Sequence, residues 1–168
     1  MKFARPGLDE SQLVSHFEYN TSQRGSTRLG YVPVCASGTS GLTLHYTSNN
    51  RLLKAGDTVL LDAGCEYAGY ASDLTRTFPV SGHFSSPQKD LYAAVLSTNK
   101  ACIKLCSQSQ GYTMNALHNE SVRLLRTELK QIGFHLGYGE IEKLYPHYLC
   151  HPLGLDLHDT MSFQRNQR

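Results

Sequence analysis

The chain has 168 residues, a length that fits one domain. Its charge is close to balanced, +2 with the histidines neutral, which gives no argument for nucleic acid or an acidic membrane as partner. No apolar run reaches the ~18 residues of a spanning helix, MKFARPGLDESQ has no secretory apolar region, and five cysteines without a C-x-x-C pair point to reduced thiols in an intracellular compartment.

The first elements are short. Asp9 caps a helix running to about Gln23, in which Leu13 and Phe17 form an i, i+4 apolar pair. Gly25 and Ser26 break it. Leu29–Cys35 reads as β-like, and Ala36–Gly41 as a loop of small residues. Leu42–Asn50 carries His45, which on its own residues is either an ordinary hydrogen-bonded strand histidine or a site residue. Arg51–Thr58 is polar and turns at Gly56-Asp57.

Val59–Gly82, VLLDAGCEYAGYASDLTRTFPVSG, predicts a hairpin. An apolar run ends on Asp62, a glycine-bearing segment spans Gly64 to Gly69, and a second β-rich run goes from Tyr70 to Val80. Symmetric pairing about the Tyr67–Ala68 bond sets Asp62 opposite Asp73, with Cβ atoms about 4.5–5.5 Å apart. Carboxylates that close share a proton or bind cations; otherwise both are solvated turn residues.

Ser86 as N-cap and Pro87 in the first helical position open a long helix. Leu91, Val95, Cys102 and Cys106 make one stripe on it, read as packing against the sheet, with Tyr92, Leu96 and Ile103 alongside. After Gly111, Thr113 caps a second helix in which Val122, Leu125, Leu129 and Ile132 keep a 3.6-residue period and Gly133 closes the end. His118 on that helix reads as a buried or boundary histidine. A loop, Gly137–Pro146, leads to HYLCHPLGLDLHD, where three histidines and two aspartates fall within thirteen residues, His147 to Asp159. Pro152 and Gly154 argue against a helix there. Such a density of histidine and aspartate suggests a metal or acid–base site.

LDAG, the second aspartate inside SDLTRTFPVSG, and H-x3-H-x-x-G-x-D-x-H-D together resemble the metallopeptidases of the pita-bread fold. LHYTSNN at Leu44–Asn50 is similar to a segment of the Xaa-Pro aminopeptidases (aminopeptidase P), and the chain is most like the mitochondrial and cytosolic Xaa-Pro aminopeptidase 3 type. The resemblance runs from about Ser11 to Thr160. It implies an α+β, pita-bread (creatinase/aminopeptidase-like) fold and a hydrolase releasing the N-terminal residue of peptides, with proline preferred second. It assigns Asp62, Asp73 and His151 as metal ligands and His45, His147 and His158 as catalytic cleft histidines; Asp156 orients a neighbour. The family's cofactor is a pair of divalent ions about 3.5–4 Å apart, which supply a Lewis acid and a nucleophile together. Oxygen ligands with one imidazole suit manganese, with zinc and cobalt left open.

The family pattern has two further glutamate ligands after the histidine cluster, and no Glu follows Glu142. The family's smaller N-terminal domain is not seen either. The expectation is therefore a fold incomplete in its C-terminal half: residues 1–160 a partial catalytic domain, 161–168 a divergent tail, from a truncated or alternatively spliced product or an incomplete gene model. At most one metal ion binds, weakly. Peptides are the expected partners, not nucleic acid or membrane, with a homo-oligomer left open; the compartment is cytoplasmic or mitochondrial. The alternative is a non-catalytic fragment that binds or regulates. A metal-free creatinase-type relative is a lesser reading, because both aspartates and His151 are retained.

Overall fold

The computed structural model describes residues 2–107 and 111–159; the tail expected over 161–168 lies outside them. The chain forms two compact units, one built from the chain up to Ser85 together with Pro152–Asp159, the other from Ser86–His151. No helix among the described residues is long and apolar enough to cross a membrane, and no two of the five cysteines are disulfide-bonded.

In the first unit, helix α1 (Glu10–Ser22) starts where the sequence signals it. The Asp9 carboxylate accepts the Ser11 N–H at 3.1 Å, and the Gln12 side chain returns to the Asp9 N–H at 2.7 Å, a reciprocal cap on donors that the helix leaves unpaired. Asp9→Ala is expected to lower the unfolding free energy by about 1 kcal/mol, read as a shift of the urea midpoint at constant slope.

Six strands follow: β1 (Arg28–Leu29), β2 (Val34–Ser37), β3 (Thr58–Ala63), β4 (Cys65–Tyr67), β5 (Tyr70–Ala71) and β6 (Leu74–Pro79). They make two antiparallel three-stranded sheets, ordered β2-β3-β6 and β1-β4-β5. Leu8 and Leu13 pack with Cys35, Leu53, Val59, Phe78 and Val80 to form the core under the first sheet. Burial, with the nearby charges of Glu10 and Asp9, pushes the Cys35 thiol up to about 12, so it behaves as a small apolar side chain. The β-like run Leu29–Cys35 is in fact two strands separated by Gly30–Pro33. Ala36 and Ser37 belong to β2, and only Gly38–Leu42 leaves it, as a 3₁₀ turn.

Two expectations are corrected here. The hairpin pairs Asp62 with Thr75, and Tyr67 with Tyr70, so its centre lies between Ala68 and Gly69, one residue later than symmetric pairing about Tyr67–Ala68. Both tip residues have positive φ, 50° and 82°, as a two-residue hairpin turn requires, and Gly69 adopts this readily. Asp73 is therefore diagonal to Asp62, two residues before its partner, yet on the same face because side chains alternate. Secondly, Leu42–Asn50 is not a strand. His45 and Asn49 are left-handed (φ 53° and 46°), and Asn49 bonds its side chain to the Cys35 N–H (2.7 Å) and the Pro33 carbonyl (2.8 Å). Those side-chain bonds to distant main-chain groups take the place of a ladder.

The second unit is helical: α2 (Ser86–Leu105), α3 (Met114–Gln131) and α4 (Glu140–Leu144), the last lying inside the expected loop Gly137–Pro146. The Thr113 hydroxyl accepts from the Ala116 N–H at 3.1 Å, and Gly133 (φ 93°) closes α3 with Phe134 N–H on the Leu129 carbonyl at 3.0 Å. The expected α2 stripe is buried only at Cys102, and Cys106 is exposed. Ala94, Thr98 and Cys102 are buried, while Leu91 and Val95 are 43% and 50% exposed. Within the unit, α2 packs against α3, where Leu117, Ser121 and Leu129 are buried and the Ser97 hydroxyl donates to Glu128 at 2.9 Å. Small side chains let the two backbones approach, so apolar size does not mark the contact face.

Candidate metal and active site

The break between the two sheets builds the site. Beyond Ala63↔Leu74 the hairpin ladder stops, and Ser72 closes the gap by donating its N–H to the Cys65 carbonyl at 2.9 Å. Only glycine serves at position 64: a Cβ there would lie 1.7 Å from the Ser72 carbonyl oxygen and 2.8 Å from the Tyr31 ring. Gly64 also accepts the Gly30 N–H at 2.9 Å, which brings the residue after Gly30 to the break.

That residue is Tyr31. Its hydroxyl donates to Asp62 Oδ1 and stands 3.1 Å from Asp73 Oδ1. The two half-buried carboxylates thus converge on one point. Burial first, and then the bond to Asp62, hold the Tyr31 hydroxyl far above the usual phenol range, so it stays a proton donor. Two carboxylates aimed at one point suit a hard divalent cation, and these residues fit such an ion. Tyr31 has no local sequence signal; it precedes Asp62 by 31 residues and meets it only through the fold.

Glu10 was also not foreseen. It is fully buried in the same unit, and its carboxylate accepts the Ser37 N–H (2.7 Å), the Ser37 hydroxyl (2.6 Å), the Arg51 N–H (3.0 Å) and the Tyr46 hydroxyl (3.1 Å). Tyr46 follows His45, so this carboxylate ties the exposed His45 loop to β2 and α1.

The remaining expected site residues divide between the units. His158 lies exposed in the first unit, on a segment held to the hairpin by the Ala71 N–H, which donates to the Gly154 carbonyl at 3.2 Å. Asp156 is exposed on the same segment. His147 and His151 belong to the second unit. His147 Nδ1 donates to the Tyr148 carbonyl at 2.9 Å, which leaves Nε2 of the neutral ring as an acceptor. His118 is half-buried against Tyr145 and Tyr148, as the boundary reading expects. Within either unit, the described residues hold no group of three His, Cys, Asp or Glu side chains close enough to bind an ion.

Comparison with known proteins agrees with this architecture. The chain is 47% identical over 158 residues to Xaa-Pro aminopeptidase 3 of Dictyostelium discoideum, covering 93% of this chain and 30% of that protein. It is 41% identical to intermediate cleaving peptidase 55 of Saccharomyces cerevisiae, covering 97% of this chain and 32% of that protein. The crystal structure of yeast Icp55 superposes with a TM-score of 0.94 at 40% identity, over 99% of this chain and 42% of that one. An Escherichia coli aminopeptidase P variant gives 0.84 at 33%, over 98% and 39%. The chain thus spans about a third of the length of the curated relatives it matches, and its fold is the expected pita-bread fold in part. The description Metallopeptidase family M24 matches residues 1–168, and the chain belongs to that family.

Proposed function

We propose that the chain is part of a metal-dependent aminopeptidase that releases the N-terminal residue of peptides with proline second. The observation that carries this reading is the convergence of Asp62 and Asp73 on one point at the sheet break. It is supported by relatives named Xaa-Pro aminopeptidase 3 and intermediate cleaving peptidase 55, and by the similar yeast Icp55 crystallised with the inhibitor apstatin, at a TM-score of 0.92 and 40% identity. Asp62, Asp73 and His151 are the ligands, with manganese as the metal. When bound, divalent ions supply a Lewis acid and a strong nucleophile at neutral pH. His45, His147 and His158 contact the peptide, and His147, with Nε2 left to accept, can take a hydrogen bond from its amine or amide. A cytoplasmic or mitochondrial location fits relatives such as the Arabidopsis thaliana peptidase named mitochondrial. For the 168-residue chain by itself, three ligand side chains favour a second reading, a binding or regulatory fragment that pairs with another subunit or a second copy.

The test adds the family's two glutamate-bearing strands, with the rest of the second half of the fold, after Asp159. With manganese, the extended chain is expected to release the first residue of an Xaa-Pro peptide, and a chelator or His151→Ala to stop it. An extended chain that folds, binds two ions and stays inert would overturn the proposal.

A further inference from the structure

The two carboxylates carry like charge, and their oxygens point at a single place. Left alone, they would turn apart. Tyr31 answers this with one O–H directed between them, bonded to Asp62 and 3.1 Å from Asp73 Oδ1. The phenol is itself held from both sides along the main chain. Gly30 donates to the Gly64 carbonyl at 2.9 Å on one side, and Asn49 grips the Pro33 carbonyl at 2.8 Å on the other. The absent Cβ at Gly64 leaves room for the ring. Rigid main-chain support of this kind is what a group that orients metal ligands requires.

We infer that Tyr31 is a positioning residue for the aspartate pair, holding Asp62 and Asp73 convergent so that a divalent cation meets ligands already gathered. This rests on the reading of those aspartates as ligands. An ionised carboxylate offers about four lone-pair sites, so Asp62 can keep the Tyr31 hydrogen bond on one while another faces the ion. Losing the hydroxyl removes the bond to Asp62 and the close approach to Asp73, so the ion must do more of the work of gathering the pair. A supporting group of this type is typically worth about 10–100-fold in metal affinity.

The test measures manganese binding to the 168-residue chain by the loss of the free-ion electron-paramagnetic signal, with urea unfolding alongside. Tyr31→Phe is expected to raise Kd by about 10–100-fold while the urea midpoint stays near that of the unmodified chain. A residue with a merely structural role would move the midpoint and leave Kd in place. If the Phe variant does not fold, the unmodified chain still decides: on titration with diamagnetic magnesium, the Tyr31 hydroxyl proton resonance is expected to shift with the Kd of the calorimetric isotherm. An unchanged or tighter Kd in a folded Phe variant overturns the inference, as does a hydroxyl resonance that ignores the ion. If Asp73→Ala abolishes binding while Tyr31→Phe does not weaken it, only this inference fails. If the unmodified chain binds no manganese, or Asp73→Ala leaves binding intact, the ligand assignment fails with it.

Discussion

The 168-residue chain is expected to cleave an Xaa-Pro peptide at least about a thousandfold more slowly than the chain extended with the two glutamate-bearing strands. On the proposed reading Asp62, Asp73 and His151 would supply three ligand side chains, and the scissile carbonyl would meet less positive charge than a pair of ions would provide. The peptide is also held less firmly, and small misplacement alone can cost about a hundredfold. A further tenfold from weaker charge stabilisation brings the total to about 4 kcal/mol of barrier, at about 1.4 kcal/mol per tenfold. Initial rates of chain and extended chain, on one peptide with saturating manganese, measure the ratio. Robust, chelator-sensitive turnover in the unextended chain would show that three ligands suffice.

Glu10→Ala is expected to cost about 3–5 kcal/mol of stability, a large share of the ~5–15 kcal/mol typical of a folded domain. Four donors converge on this buried carboxylate, two from Ser37, one from Arg51 and one from Tyr46. Each buried donor left without an acceptor costs about 1–3 kcal/mol, and water entering the space recovers part of the total. Glu10→Gln separates acceptor chemistry from volume. The amide fills the same space but turns an NH2 group toward two of the donors, so it should recover little. Urea unfolding of the three chains decides the matter; a loss below about 1 kcal/mol for Ala, or full recovery with Gln, would mean the network carries little weight.

Local signals in the chain were reliable guides to local structure. Asp9, Thr113 and Gly133 cap and close helices where their types and spacing indicate, and Gly56, with φ 88°, makes its turn. The aspartate pair was legible as a pair, because Asp62 ends one β-rich run and Asp73 lies near the start of the next. Its register was not. The tip residue Ala68 takes a positive φ of 50°, which its type does not advertise, and moving the centre one residue exchanges an opposed pair for a diagonal one. The His45 loop misled for another reason: its bonds go from the Tyr46 and Asn49 side chains to groups far off in sequence. Tyr31 and Glu10 were invisible on the same account. Each acts through partners that only tertiary structure supplies, and a lone tyrosine or first-turn glutamate carries no periodicity. On α2, apolar residues occur around most of the helix, so their spacing picked out Cys102 but not Ala94 and Thr98, which share its buried face.

The bond from the Ala71 N–H to the Gly154 carbonyl joins two points about half the chain length apart in sequence. Closing so long a loop is entropically costly, and contacts of this range tend to form late in folding. Hydrogen exchange at this one amide therefore reads the fraction of molecules in which Pro152–Asp159 has docked on the hairpin, whatever the side chains there are doing. A slow Ala71 amide beside faster-exchanging neighbours at the tip would date the arrival of the His158 segment without any substrate or metal present.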